Sequence, residues 1–361
     1  MGGCSSPVLM RRDPCWVIDK HEYRPCPEPA REFRAVASLH NHSCHSTENL
    51  AALNRVITFR HMRPFRRLLQ RSFGLGAETD LSYAELKYNP PFRPADVWRM
   101  ESDSVRRLGF DSLLLAITDH DSVSGGWELL RDRAGSADNI TLGEELSVRF
   151  SDHLFHLGVT GLPSGDIHAT HHQLQTAARE GRLDDLFEFL GTLGCLVVLN
   201  HPLLPWDGNR DRQIPVLALM RRFGWAIHAL EYNGMRDRTE NDQVLQLARQ
   251  LGKPVVGGGD SHLLVPSSTL CVATDGLDSS TFVEEIKAGR TMPLLKNEYF
   301  APLGWKLTLR VLSFIASYRK IAYYKGTPVE SIIGGDWILL DPVGKMARAF
   351  LRLVSSFGML R

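Results

Sequence analysis

Short apolar runs alternate with helical patterns through the middle of the chain, the signature of strands and helices laid down in turn around a parallel sheet or barrel. The runs fall at 35–39, 113–118, 140–146, 154–159, 195–200, 226–232, 254–257 and 270–273, which predicts seven or eight strands. Between them, 94–108 carries Val97, Met100, Val105 and Leu108 on one stripe and stops at Gly109, and 241–251 is capped by Asn241 and closed by Gly252. Two stretches break this rhythm. The segment 55–71 holds Arg55, Arg60, Arg63, Arg66, Arg67 and Arg71 with no acidic residue, and reads as a basic helix or helical hairpin inserted after the first strand. Beyond about 300 the pattern turns aromatic and basic; within 345–361, Lys345, Arg348 and Arg352 face away from Phe350, Leu353, Val354 and Phe357, as in an amphipathic appendage.

Composition narrows the class. With 361 residues, 43% hydrophobic and 23% charged, the chain is neither collagen, coiled coil nor wholly disordered. No apolar run approaches the roughly 18–20 residues of a membrane-spanning helix. The N-terminus lacks an apolar signal core, and six cysteines in so long a chain make no disulfide framework, so a reducing, cytoplasmic setting is expected. Cys4, Cys15 and Cys26 lack the paired spacing of zinc modules. The expected organisation is an N-terminal extension over 1–34, an α/β barrel over 35–299 with its insertion at about 50–92, and the appendage over 300–361.

The net charge of +1 conceals a segregation: +1 over 1–34, +5 over 35–74, −11 over 75–300 and +6 over 301–361. An acidic body between basic flanks suggests a cation-binding core with anion-seeking or membrane-seeking attachments. The opening Met1-Gly2-Gly3-Cys4-Ser5-Ser6 matches the myristoylation pattern beside a cysteine suited to palmitate, and with the basic tail it raises a peripheral-membrane alternative.

Candidate chemistry gathers at the ends of the predicted strands. The first runs into Leu39-His40-Asn41-His42-Ser43, where extended backbone puts both imidazoles on one side. The next ends Ile117-Thr118-Asp119-His120-Asp121, and the third holds Gly143-Glu144-Glu145. Eleven residues past Glu145 comes His156; later strands end Asn200-His201-Pro202 and Gly259-Asp260-Ser261-His262. In a parallel barrel such ends converge on one mouth, and imidazoles with carboxylates are the ligands of borderline divalent ions.

That ordered set resembles the PHP (polymerase and histidinol phosphatase) family over about 35–275. The resemblance implies a distorted (β/α)7 TIM-like barrel holding two or three divalent ions (Mn, Fe or Zn) and hydrolysing phosphoesters with a metal-activated water. Carried over residue by residue, it implies one ion on His40, His42, Glu145 and Asp260, and a second on Glu145, His156 and His201, with Glu145 bridging. A third would take His120 and His262. The family's usual Asp is Thr47 here, so Glu48 is the remaining candidate ligand. Asp119 is read as a partner that orients a ligand, and His201 as able to assist the leaving group.

Other readings stand beside these. His153 could compete with His156, but the eleven-residue interval favours His156. His45, His61, His168, His171, His172 and His228 match no ligand position. Glu231 is either a partner of a ligand or a solvated loop carboxylate. Arg60, Arg63, Arg66 and Arg67 could contact substrate phosphates bidentately, or simply be solvated. The expected substrate is a small phosphorylated metabolite or nucleotide. A nuclease acting on nucleic acid ends, a catalytically decayed metal-binding scaffold and a metal-dependent amidohydrolase are the alternatives.

Overall fold

A computed structural model describes residues 15–49, 87–90, 92–133, 139–204, 212–262, 266–276, 278–304 and 306. The arginine-rich segment with Arg60, Arg63, Arg66 and Arg67, the first 14 residues and the basic tail at 345–361 lie outside the described residues.

The strands in chain order are β1 (Cys15–Asp19), β2 (Glu22–Pro25), β3 (Ala35–Ser38), β4 (Glu48–Asn49), β5 (Lys87–Tyr88), β6 (Leu114–Ile117) and β7 (Ile140–Phe150). They continue with β8 (His153–Thr160), β9 (Leu196–Asn200), β10 (Ala229–Asn233), β11 (Val255–Gly258), β12 (Thr269–Ala273) and β13 (Met292–Lys296). The helices are α1 (Pro29–Glu32), α2 (Pro94–Arg107), α3 (Ser124–Asp132), α4 (Ile167–Arg179), α5 (Leu183–Thr192), α6 (Gln213–Phe223), α7 (Arg238–Leu251) and α8 (Ser279–Lys287). All eight expected strands are present. β1, β2 and β13 were not expected, and they join the same sheet.

That sheet has eleven strands in the order β11-β10-β9-β8-β7-β6-β3-β12-β13-β1-β2. It is mixed α/β and compatible with a TIM-like barrel, but it is not closed: β11 and β12 stand at non-adjacent places in the ladder. They nevertheless touch, for a Cβ on Gly257 would lie 2.0 Å from the carbonyl oxygen of Leu270. The seven-stranded parallel barrel therefore gives way to an open, larger sheet. β3, β6 and β7 are parallel, as are β9, β10 and β11, but β8 runs antiparallel to both β7 and β9. The reason is distance along the chain: β7 and β8 are joined by Ser151 and Asp152, far too few residues for the crossover that a parallel pair needs.

Both faces of the central strands are apolar, with alternate residues entering different clusters. Val36, Leu115 and Ile117 face one way, against Val97 and Val105 of α2. Ala35, Ala37, Ala116 and Ala229 face the other, where Phe282 and Ile286 of α8 fill the space. The alanines on that face leave room for these larger side chains to pack against it.

Two details of the helices differ from the sequence reading. The buried stripe of α2 includes Val97, Glu101 and Val105, whereas Met100 is only half-buried. The cap of α7 is Asp237, whose Oδ1 accepts from the Glu240 N–H at 2.8 Å. Asn241 lies one turn inside instead, with its amide donating to the Asn233 carbonyl at 2.8 Å. Gly252 does close α7, in the left-handed region at φ 62°.

Candidate metal centre

The strands deliver their side chains to one place because the backbone stays stitched beyond the ends of the ladder. Thr118 N donates to Asn41 O at 2.8 Å, Glu145 N to Asp119 O at 3.1 Å, and Asp121 N to Glu145 O at 3.0 Å. Asp121 then turns away at φ 50°, and its Oδ1 takes over the role of a ladder carbonyl by accepting from Ser147 N at 2.8 Å. Gln175 of α4 reaches the same oxygen at 3.1 Å. A single parallel bridge, Asn41 with Ser261, joins the His40–His42 segment to the Asp260–His262 turn.

Glu145 is the hub. Its Oε2 lies 3.2 Å from His40 Nε2, 3.4 Å from His42 Nε2 and 3.3 Å from His120 Nδ1. Its Oε1 lies 3.0 Å from His201 Nε2 and 3.4 Å from His156 Nδ1, and accepts from Asn200 Nδ2 at 3.0 Å. The Nε2 atoms of His40 and His42 are 3.1 Å apart, and Asp260 Oδ1 is 3.8 Å from each. His262 stacks on His42 with ring centroids 4.0 Å apart, and its Nδ1 is 3.1 Å from Asp260 Oδ1. Four triads have donor atoms within 4.8 Å of one another: His40, His42 and Asp260; His40, Glu145 and His201; His120, Glu145 and His156; His42, His120 and His262.

This donor set fits divalent ions. Ligands about 2.1 Å from a tetrahedral centre stand about 3.4 Å from each other, close to the separations found here. Glu145 Oε2 is fully buried amid three imidazole nitrogens yet makes no hydrogen bond among the described residues, an arrangement costly for a carboxylate unless a cation sits among the donors.

The charges are strongly coupled. Burial opposes ionisation of Glu145, but the imidazoles of His120, His40 and His156 outweigh it and hold the carboxyl well below the usual range. Burial likewise opposes the charge on His40, yet Glu231 and Glu145 push its pKa well above that of a free imidazole. Asp260 is held low, against burial, by His262, His40 and His201. His156 is lowered chiefly by burial, with Glu145 pulling the other way.

Every described candidate ligand thus enters one cluster: His40, His42, His120, Glu145, His156, His201, Asp260 and His262. His120, which the resemblance groups with His262, also lies 3.3 Å from Glu145. Glu48 belongs to β4, and its side chain lies outside what is described. His153 does not join the cluster; its Nδ1 meets Arg212 Nη1 at 3.4 Å. Asp119 is fully buried and accepts from the N–H and hydroxyl of Ser43 at 2.5 and 2.7 Å, which fixes the loop after His42.

The sequence left Glu231 undecided, and the structure settles it. Its Oε1 is 2.5 Å from His40 Nδ1, and its Oε2 accepts from His201 N at 2.8 Å and Asn233 Nδ2 at 2.9 Å. A glutamate in a strand buried at every position was the available signal. Such a carboxylate sets the tautomer of an imidazole ligand and increases its basicity. His45 and His171 pair instead with Glu128 and Glu144.

No model of a protein family matches the chain, and no curated protein matches it in sequence. Solved structures do. An amidohydrolase of Chromobacterium violaceum with bound sulfate and no metal shares 17% identity at a TM-score of 0.37, over 48% of this chain and 84% of that one. A protein of Bifidobacterium adolescentis described as a metal-dependent phosphoesterase shares 17% identity at 0.34, over 55% and 91%. A two-domain protein of Bacteroides vulgatus, described as containing a PHP-like metal-dependent phosphoesterase, shares 17% identity at 0.40, over 60% and 65%.

Proposed function

We propose that this chain is a metal-dependent phosphoesterase, acting on a small phosphorylated metabolite or nucleotide with two or three divalent ions at the Glu145 cluster. The observation that carries this reading is the placement of Glu145 with one oxygen toward His40, His42 and His120 and the other toward His156 and His201. A carboxylate so placed can hold two ions side by side. Ions of this kind neutralise phosphoryl charge and activate water near neutral pH.

The chain's own residues divide the remaining work. His40 and His201 are deep and are held from behind by Glu231, so they form the rigid floor. His120 and His262 have side chains 12% and 15% exposed, the most open members of the cluster, and they mark the side on which a phosphoryl group enters. Asp119 ties the two histidine-bearing loops together, and Asp121 ties the second of them to β7. Glu48 is proposed as a further ligand from the sequence alone.

Elemental analysis of protein purified without chelator, paired with a panel of phosphoesters and a His42→Ala control, tests this. Bound ions and turnover are expected together in the wild type, and both are expected to drop in the variant. Ions bound without hydrolysis of any phosphoester would favour the metal-binding scaffold instead. The nuclease alternative rests on the arginines of 55–71, outside the described residues; comparing a short oligonucleotide with a mononucleotide at low salt separates it.

A further inference from the structure

Away from the cluster, one acid and one base are buried together. Glu101 of α2 is fully buried and Lys296 at the end of β13 nearly so, and the charge of each opposes the burial penalty on the other. Such pairs contribute little to stability compared with apolar residues of the same size, so the geometry around them carries the explanation.

Glu101 Oε1 accepts the N–H of Ser267 at 2.7 Å. The Ser267 hydroxyl is 3.2 Å from Ser38 Oγ at the end of β3 and donates to Asn41 Oδ1 at 3.3 Å. It also presses on Gly259 so closely that a Cβ there would lie 1.9 Å from Ser267 Oγ. Gly259 leads directly into Asp260, which is held at φ 49°. Asn41 lies between His40 and His42 and bridges to Ser261. Lys296 secures the other flank, with its Nζ donating to Ser104 Oγ at 2.8 Å and its N–H to Ser268 O at 2.9 Å.

We propose that Glu101, with Lys296 as its counter-charge, is a positioning residue for the ion held by Asp260 and His262: by fixing Ser267 it seats the 259–262 turn against the His40–His42 segment. The inference rests on the metal-centre reading above and extends it to a helix that contributes no ligand. It assigns separate tasks to the two properties of Glu101. The acceptor oxygen places Ser267, while the negative charge only compensates Lys296.

Three variants of the full chain separate these tasks. Glu101→Gln/Lys296→Met keeps an acceptor and removes both charges. Glu101→Leu/Lys296→Met removes the acceptor as well. Ser267→Ala keeps the N–H and removes the hydroxyl. Mn2+ titration calorimetry and hydrogen exchange of the 259–262 amides are the readouts. The Gln/Met variant is expected to match the wild type in both. The Leu/Met variant is expected to bind its weakest Mn2+ ion about tenfold less tightly, the scale typical of lost support behind a ligand, with faster exchange at 259–262 and none at β9.

Ser267→Ala is expected to accelerate the same amides, and it decides the question should Leu/Met not fold. Wild-type Mn2+ affinity and unchanged exchange at 259–262 in Leu/Met, or unchanged exchange in Ser267→Ala, would overturn the proposal. A wild type that binds no Mn2+ would instead defeat the metal reading, and the exchange measurements would still decide the role of Glu101.

Discussion

The two ends of the central strands solve the same geometric problem in opposite ways. Where the chain enters β9 and β11, at the end remote from the clustered histidines, left-handed backbone falls on Gly194 at φ 66° and Gly252 at φ 62°, with nothing within 4 Å of either Cβ position. Where it leaves β6, β9 and β11, the same region of backbone is occupied by Asp121, His201 and Asp260. Glycine adopts this conformation without penalty, whereas a side-chain-bearing residue there costs about 1–3 kcal/mol. Among these particular turns the strain falls at the end that carries the histidine and carboxylate cluster; elsewhere non-glycine residues adopt this backbone in the hairpin turns at Lys20, His21 and Ser151.

The contrast can be broken most forcefully at the hub. Glu145→Gln removes the one carboxylate shared by both imidazole groups, and bound metal is expected to fall at least about tenfold, with hydrolysis following. Elemental analysis reads the first and phosphoester turnover the second; a full complement of ions would remove Glu145 from its bridging role.

Gly125→Ala comes next. Its Cβ would stand 2.1 Å from Asp119 Oδ2 and 2.5 Å from Ser43 Oγ, so the Ser43 loop must shift. A loss of about 1–3 kcal/mol is expected from overpacking, together with weaker Mn2+ binding; thermal melts with and without Mn2+ distinguish the two effects. At the remote end, Gly252→Ala is expected to lose about 1 kcal/mol through backbone strain alone and to keep its metal. Loss of ions in that variant would mean the two ends are not independent.

The smallest expected effect concerns His228, at the same remote end. Burial, then the charges of Lys287 and Lys253, push its pKa down to about 4 from the ordinary 6.5, and its Nδ1 accepts from Val197 N at 2.9 Å. The folded chain keeps the ring neutral while the unfolded chain protonates it, so acid favours unfolding. The contribution is complete above about pH 6.5 and is lost as pH falls from there to about 4. In His228→Gln the drop in melting temperature between pH 7 and pH 5 should be smaller by about 2 °C, allowing for the partial exposure of the ring. An unchanged drop would show that His228 plays no part in acid sensitivity.

The strands and the gathering of histidines and carboxylates were largely legible in the sequence because both depend on local pattern: alternation places His40 and His42 on one side, and the clustered residues lie in or just after apolar runs. What escaped depends on long-range context. β13 contains Pro293 and ends in Lys296, a residue that reads as solvated until Glu101 is found beside it. Glu101 itself sits four residues from both Val97 and Val105, on the very stripe taken as apolar. The spacing was visible, but the partner that makes a buried glutamate tolerable is almost two hundred residues away. The side chain of Asn241 suits a cap in the sequence; Asp237 has the same chemistry and the better position. The direction of β8 was within reach, since the seven residues between the runs at 140–146 and 154–159 cannot carry a chain back along the sheet for a parallel return.

The lone bridge between Asn41 and Ser261 has a mechanical meaning. It crosses the seam between the segments that follow β3 and β11, two strands that share no ladder, and His40, His42 and Asp260 stand on its two banks. A cation gripped from both banks would act as a rivet through that seam. Filling the centre should therefore stiffen the protein at this join, and stripping it should loosen it there.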